Sequence, residues 1–307
     1  MSQLALSIAF IAASCAGFLL CGIRTARCPA TVARVAVQML GLLTLGAYLL
    51  LLWDRPILAR LFPHANLIVL SNWLPMWGCF FVGCYAATEN VHWMRRMLLS
   101  GLTLCLCIYS CIAPLLGETP DCSIQSRPGA LVSQSTPYTC SAACAASLLR
   151  LHGVSATESE LANLCLTREG THWQGLYRGL MIKTELTEWT VEVEPFDPQT
   201  LQQKTSLPAI MCVNIDPSQF DGNVDHGFKA EVGHSVLYLG PAGSRTISVF
   251  DPAPDFGLES WGDRIMETIT SGVLVRLVPR DPDNVAALHE SRRTARHFAA
   301  RRFTVGL

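Results

Sequence analysis

Four stretches within the first 117 residues, roughly Leu4 to Ile23, Val35 to Trp53, Leu67 to Ala86 and Met97 to Leu116, are apolar over the length of a bilayer or close to it. This pattern leaves few folds open. In hydrocarbon every backbone polar group must be satisfied internally, which a helix does within one segment. A buried core helix is the alternative for any one stretch, but four in succession with short connectors favour insertion in a membrane. The third is the weakest, since Asn72 and Pro75 interrupt it. The first lacks the basic leader of a secretory signal, and Cys15 and Cys21 stand in no good lipid-attachment site, so it reads as an uncleaved helix.

Basic residues near membrane spans are retained on the cytoplasmic side. Arg24, Arg27 and Arg34 follow the first stretch and Arg95 and Arg96 precede the fourth, against Arg55, Arg60 and Arg127 on the other side. This five-to-three balance favours both termini outside, with the second half of the chain extracytoplasmic. The spans carry almost no charge within them, so a transport accessory in which the four spans do the work is the least favoured reading of the chain.

After residue 117 the composition turns polar. Pro120 and Pro128 bracket a short linker, residues 118–128, that keeps the polar half of the chain close to the bilayer. Then comes Gln134-Ser-Thr-Pro-Tyr-Thr-Cys140-Ser-Ala-Ala-Cys144, where a thiol opens an Ala-rich run that continues to Leu149 and stops at Gly153. Thr139 or Ser141 is placed to cap the helix, so Cys140 meets the positive end of its dipole, which favours the thiolate. A cysteine in a helix is more often a small buried hydrophobe. The amide of Gln134, six residues earlier, supplies what that bland reading does not explain, a donor for an oxyanion.

Further along, Gly233-His234-Ser-Val-Leu-Tyr-Leu-Gly240-Pro-Ala-Gly243-Ser-Arg-Thr-Ile-Ser-Val-Phe250-Asp251-Pro252 has the form of a β-hairpin. Without a bulge, a turn centred between Ala242 and Gly243 sets His234 directly opposite Asp251, with Cβ atoms roughly 5 Å apart. An aspartate there accepts from one imidazole nitrogen and leaves the other for a thiol. Nucleophile, base and orienter in that order point to acyl transfer through a thioester. A histidine opening a strand is commonly structural, and a bulge would break the alignment.

These residues resemble the papain-like cysteine peptidases that process bacteriocin leaders at a double-glycine site. The likeness runs over about 155 residues, Gln125 to Arg280, and includes Glu160-Leu-Ala-Asn-Leu-Cys165, Thr167-Arg-Glu-Gly-Thr171 and Leu176 to Leu180, similar to the family's second and third helices, and Leu207 to Asn214, similar to its strand into the core. The resemblance implies that Cys140 is the nucleophile, His234 the general base and Asp251 its orienter. Gln134 with the Cys140 backbone N–H would form the oxyanion hole. The chain departs from the family at Thr139-Cys140-Ser141, where Asp-Cys-Gly is usual, and in a longer interval from thiol to histidine. Much of that length is the polar stretch Asp216 to Glu231, a substrate loop or lid by its place before His234. Its Asp216, Asp221, Asp225 and His226 show no cation-loop spacing, and a solvated insertion is favoured. His226 is the rival base.

Of thirteen cysteines, eight fall in the membrane half, where they read as apolar helix residues. Besides Cys140, the second half has Cys122, Cys144, Cys165 and Cys212. Outside the cytoplasm that even number allows two disulfides, and a Cys144–Cys165 bridge is one option; in the cytosol all four would be buried thiols. A formal net charge of −1 and no long basic run before the tail argue against nucleic acid as a principal partner, and no phosphate-loop signature surrounds Lys183, Lys204 or Lys229. Any transport motor must therefore be a separate exporter chain. The tail carries Arg292, Arg293, Arg296, Arg301 and Arg302, solvated by default or else in contact with anionic lipid.

The expected organisation is a transmembrane domain of about four helices over residues 1–117, the linker, an α+β papain-like peptidase domain over 129–280 and a basic tail over 281–307. The expected activity is peptide-bond hydrolysis on a peptide or protein substrate at the membrane, with no cofactor and no metal. The alternative is a catalytically inactive, peptide-binding or assembly module on a membrane scaffold.

Overall fold

The computed structural model describes residues 2–88, 92–122, 129–198, 201, 208–216 and 232–281. The chain divides into two compact units, Met1–Thr119 and Pro120–Leu307.

The first unit is helical: α1 (Ser2–Ala26), α2 (Thr31–Leu51), the short α3 (Ile57–Leu61) and α4 (Leu67–Leu70), α5 (Leu74–Ala86) and α6 (Trp93–Ile112). Four stretches are long and apolar enough to cross a membrane: Gln3–Ala26, Thr31–Leu51, Leu67–Ala86 and Trp93–Leu115. Outward-facing Leu6, Phe10, Leu43, Leu98, Leu102 and Leu106 give them the apolar surface that a bilayer solvates. The third stretch is discontinuous. The helix stops at Leu70 and restarts at Leu74, with Pro75 in the first turn of α5, where its missing N–H leaves no intrahelical bond unmade. Polar groups freed by the break find partners inside the unit. Tyr48 donates to the Ser71 carbonyl at 2.6 Å and accepts the Trp73 N–H at 3.2 Å, while the Asn72 amide donates to the Ser110 carbonyl and hydroxyl at 3.0 and 2.9 Å. α1 and α5 then meet backbone to backbone. A Cβ on Gly22 would strike the Phe80 carbonyl oxygen, and one on Gly83 the Leu19 carbonyl oxygen. Where hydrophobic burial does not drive helices together, such close approach of small residues does.

Among the described residues the second unit has three helices ahead of one sheet and a single helical turn, Asp263–Met266, between its last two strands. α7 (Cys140–Leu151), α8 (Glu158–Leu164) and α9 (Trp173–Thr184) precede β1 (Trp189–Pro195), β2 (Ala209–Ile215), β3 (Val232–Pro241), β4 (Thr246–Asp251), β5 (Gly257–Gly262) and β6 (Ile269–Pro279). The strands form an open antiparallel sheet in the order β1-β6-β2-β3-β4-β5. Every residue of α7 from Ser141 to Leu149 is buried. Alanines at 142, 143, 145 and 146 make that possible, because a helix with small side chains on several faces can be packed all round. Gly153, at φ 73°, ends the run in the left-handed region that favours glycine. α8 opens on a side-chain cap, with the Thr157 hydroxyl accepting the Glu160 N–H at 3.2 Å.

One face of the sheet buries Met211, Val213, Val236, Tyr238, Ile247, Val249 and Trp261 in a continuous core. The other receives α7, where Cys144 Sγ lies 3.4 Å from the Ser235 carbonyl oxygen. Membrane-length helices followed by an α+β unit, with a buried central helix against an open antiparallel sheet, make up the papain-like fold class expected from the sequence. Most of the 118–128 linker, the insertion from 217 to 231 and the tail beyond Asp281 lie outside the described residues, as does His226.

Candidate active site

Cys140 is the first residue of α7 and stays partly exposed, whereas Cys144, one turn on, is wholly buried. The expected cap is absent. Thr139 occupies the cap position without a side-chain capping bond. Its hydroxyl serves the preceding turn instead, donating to the Thr136 carbonyl at 3.0 Å and accepting the Thr136 N–H at 3.2 Å. Ser141 does not cap either, for its hydroxyl oxygen sits 2.8 Å from that of Ser235. The positive end of the helix is thus left to the thiol.

His234 and Asp251 meet as the hairpin reading requires, though not in the register it assumed. The turn centres on Ser244, with Pro241 facing Ile247, and a bulge between Tyr238 and Gly240 takes back one residue of that offset, so that Phe250 faces Leu237 and Asp251 aligns with Val236 rather than with His234. The slip is two residues, and side chains alternate with a period of two, so both groups remain on one face and meet diagonally. His234 Nε2 lies 2.9 Å from Asp251 Oδ2, while Oδ1 accepts the Ala253 N–H at 2.8 Å. With Nε2 committed to the carboxylate, Nδ1 is the nitrogen left for the thiol, and the Cys140 side chain bonds the imidazole.

The three groups set one another's charge. Burial opposes ionisation of Cys140, but the hydrogen bond and charge of His234, with the Ser235 backbone and the Ser141 hydroxyl, outweigh it and hold the thiol below its ordinary value. Burial likewise disfavours protonated His234, yet Asp251 and Cys140 push it up to about 10. Both shifts run in the direction of a thiolate–imidazolium pair. The other thiols of this unit shift the opposite way. Burial pushes Cys165 and Cys212 up to about 12, and raises Cys122 and Cys144 as well. Each is a free thiol, and Cys144 and Cys165 have different surroundings: Cys144 lies on Ser235, Cys165 against Gly179 and Leu176.

Gln134 lies on a loop pinned from several sides. Its N–H donates to the Pro252 carbonyl at 2.7 Å, which ties the loop to the residue after Asp251. The next N–H, of Ser135, donates to buried Glu158 at 2.7 Å, and the Val132 N–H to the Ser147 hydroxyl at 2.8 Å. The Gln134 side chain is buried, and its Nε2 donates to the Thr136 carbonyl at 3.0 Å while Oε1 has no hydrogen-bond partner among the described residues. The amide is therefore near the start of α7 but occupied by its own loop. Sequence reasoning misses Glu158 and Ser235. A serine beside His234, opening an otherwise apolar run, is the available signal for one; Glu158 reads as an ordinary first-turn carboxylate and offers none. Among the described residues no group of three or more His, Cys, Asp or Glu side chains is placed to hold a metal ion.

No protein-family model matches the chain, and no curated protein matches it. Among solved structures, the peptidase domain of Streptococcus ComA, a bifunctional ABC transporter of a quorum-sensing pathway, is 20% identical; the match covers 49% of this chain and 98% of that one, with a TM-score of 0.38. A double-glycine-motif protease from an AMS/PCAT transporter, in complex with its leader peptide, is 16% identical over 49% and 91%, with a TM-score of 0.38. The peptidase domain of Streptococcus mutans ComA is 20% identical over 49% and 100%, with a TM-score of 0.33.

Proposed function

We propose that this chain is a membrane-anchored cysteine peptidase with Cys140 as nucleophile, His234 as acid and base, Asp251 as orienter and Gln134 as an oxyanion donor. The observation that carries the reading is the continuous bonded line from a partly exposed thiol at a helix start through an imidazole to a buried carboxylate. In the first step the Cys140 thiolate attacks the scissile carbonyl carbon and the π-electrons move onto oxygen. That oxyanion takes hydrogen bonds from the Cys140 backbone N–H and from Gln134, whose amide must exchange the Thr136 carbonyl for the developing charge. The His234 imidazolium gives its proton to the leaving amine, and a thioester remains. Water, deprotonated by the now neutral His234, attacks the thioester and releases the acid.

The motif resemblance extends the reading to substrate: a peptide cut after a double-glycine leader, handed over at the membrane by a separate exporter chain. Arginine placement puts the domain on the extracytoplasmic side. Incubating the full chain in detergent with a Gly-Gly leader peptide should yield cleavage after the second glycine, absent in Cys140→Ala; intact cleavage by that variant would refute the assignment. Protease added to spheroplasts should digest the domain, and protection there with digestion in lysed cells would reverse its side.

A further inference from the structure

Ser141 and Ser235 come from elements 94 residues apart, yet both are buried and their hydroxyl oxygens lie 2.8 Å from each other. The pair has neighbours at both ends. Ser141 follows Cys140 directly and its hydroxyl is among the groups that lower the thiol's value, and Ser235 Oγ lies 3.5 Å from Sγ of Cys212, the residue opposite it on β2. Resting on the assignment of Cys140 as nucleophile, we propose that Ser141 and Ser235 form a buried hydrogen-bond relay, fed by the Cys212 thiol, that donates to the Cys140 thiolate.

Proton counting gives the relay a direction. A hydroxyl has one hydrogen to donate, and its oxygen can accept at the same time. With Cys140 neutral, Ser141 donates to Ser235 and Ser235 donates to Cys212 Sγ, so the chain runs away from the nucleophile. A thiolate at Cys140 is the strongest acceptor at either end. Ser141 then turns its hydrogen to Cys140, Ser235 donates to Ser141, and the Cys212 S–H donates to Ser235. Only rotations about C–O and C–S bonds occur, and no proton changes owner. Cys212 can end the chain because burial keeps it protonated. Bonds in a dry interior polarise one another, so the last bond, onto a charge, gains from those behind it. Ser141 is then a donor to the reacting sulfur, and Ser235 and Cys212 are positioning residues.

The test is the pH dependence of iodoacetamide alkylation at Cys140, followed by mass spectrometry of the peptide containing it, in the full chain in detergent. Ser141→Ala should move the midpoint up by about one pH unit, the size of a lost bond to a charged group. Ser235→Ala, which leaves Ser141 in place, should move it up by roughly 10–30% as much. Circular dichroism identifies any variant that fails to fold, and the other then decides. Midpoints equal to wild type in the folded variants would overturn the relay while leaving the peptidase reading intact. A wild-type midpoint at an ordinary thiol value, unchanged in His234→Ala, would overturn both.

Discussion

In the helical unit Cys15 meets Cys79 and Cys111, and Cys79 meets Cys107, so sulfurs from α1, α5 and α6 pack on one another. In the α+β unit Cys140 meets an imidazole backed by a carboxylate. The residue type is the same and the chemistry is not. Beside Cys140 stands a group that can take up its proton, the His234 imidazole, whose value Asp251 helps push up.

The sharpest way to break this contrast is to exchange the thiols' roles. Cys140→Ala should lower peptide cleavage by at least about 10⁴-fold, as loss of a catalytic-triad member does, while Cys105→Ala, on an exposed face of α6, leaves it unchanged in the same assay. Gln134→Ala should cost roughly 10² to 10³ in turnover with little change in Cys140 alkylation, because the amide serves the oxyanion and not the sulfur. Asp251→Asn sharpens the claim about the cation. His234 is held up to about 10 in part by that carboxylate, so the substitution should lower its value by about one to two pH units. The ion pair is lost as pH rises through the histidine value, so the alkaline limb of the activity profile moves to lower pH. Least felt at the site is Gly83→Leu. Overpacking the α1–α5 crossing should destabilise the helical unit by about 1–3 kcal/mol in detergent melting, with the Cys140 alkylation rate unchanged.

Much of the molecule is legible in the chain itself, and the reasons differ by element. Periodicity and length locate the membrane-length helices, and Asn72 with Pro75 marks the place where the third is broken. The Gln134–Cys140 spacing and the Gly153 stop locate α7 because helix signals are local. The His234–Asp251 meeting is legible as a shared face but not as a register, since the turn centres on Ser244 and a bulge at Tyr238–Gly240 then offsets it by one, so that together they restore the shared face. Thr139 and Ser141 read as caps, yet each finds a better partner, one in the preceding turn and one on β3. Ser235 and Glu158 are invisible for the same reason: their partners are distant in sequence, and only the packed sheet and helices bring them together.

The central claim is that His234 makes a thiolate of Cys140. It is tested most directly by following alkylation of Cys140 from about pH 5 to about pH 10, a range spanning the ordinary histidine and thiol values, in wild type and in His234→Ala. The account predicts labelling of wild type well below the ordinary thiol value of 9.0, with the variant's midpoint displaced toward it. Superimposable curves, with labelling of both only near that ordinary value, would contradict it.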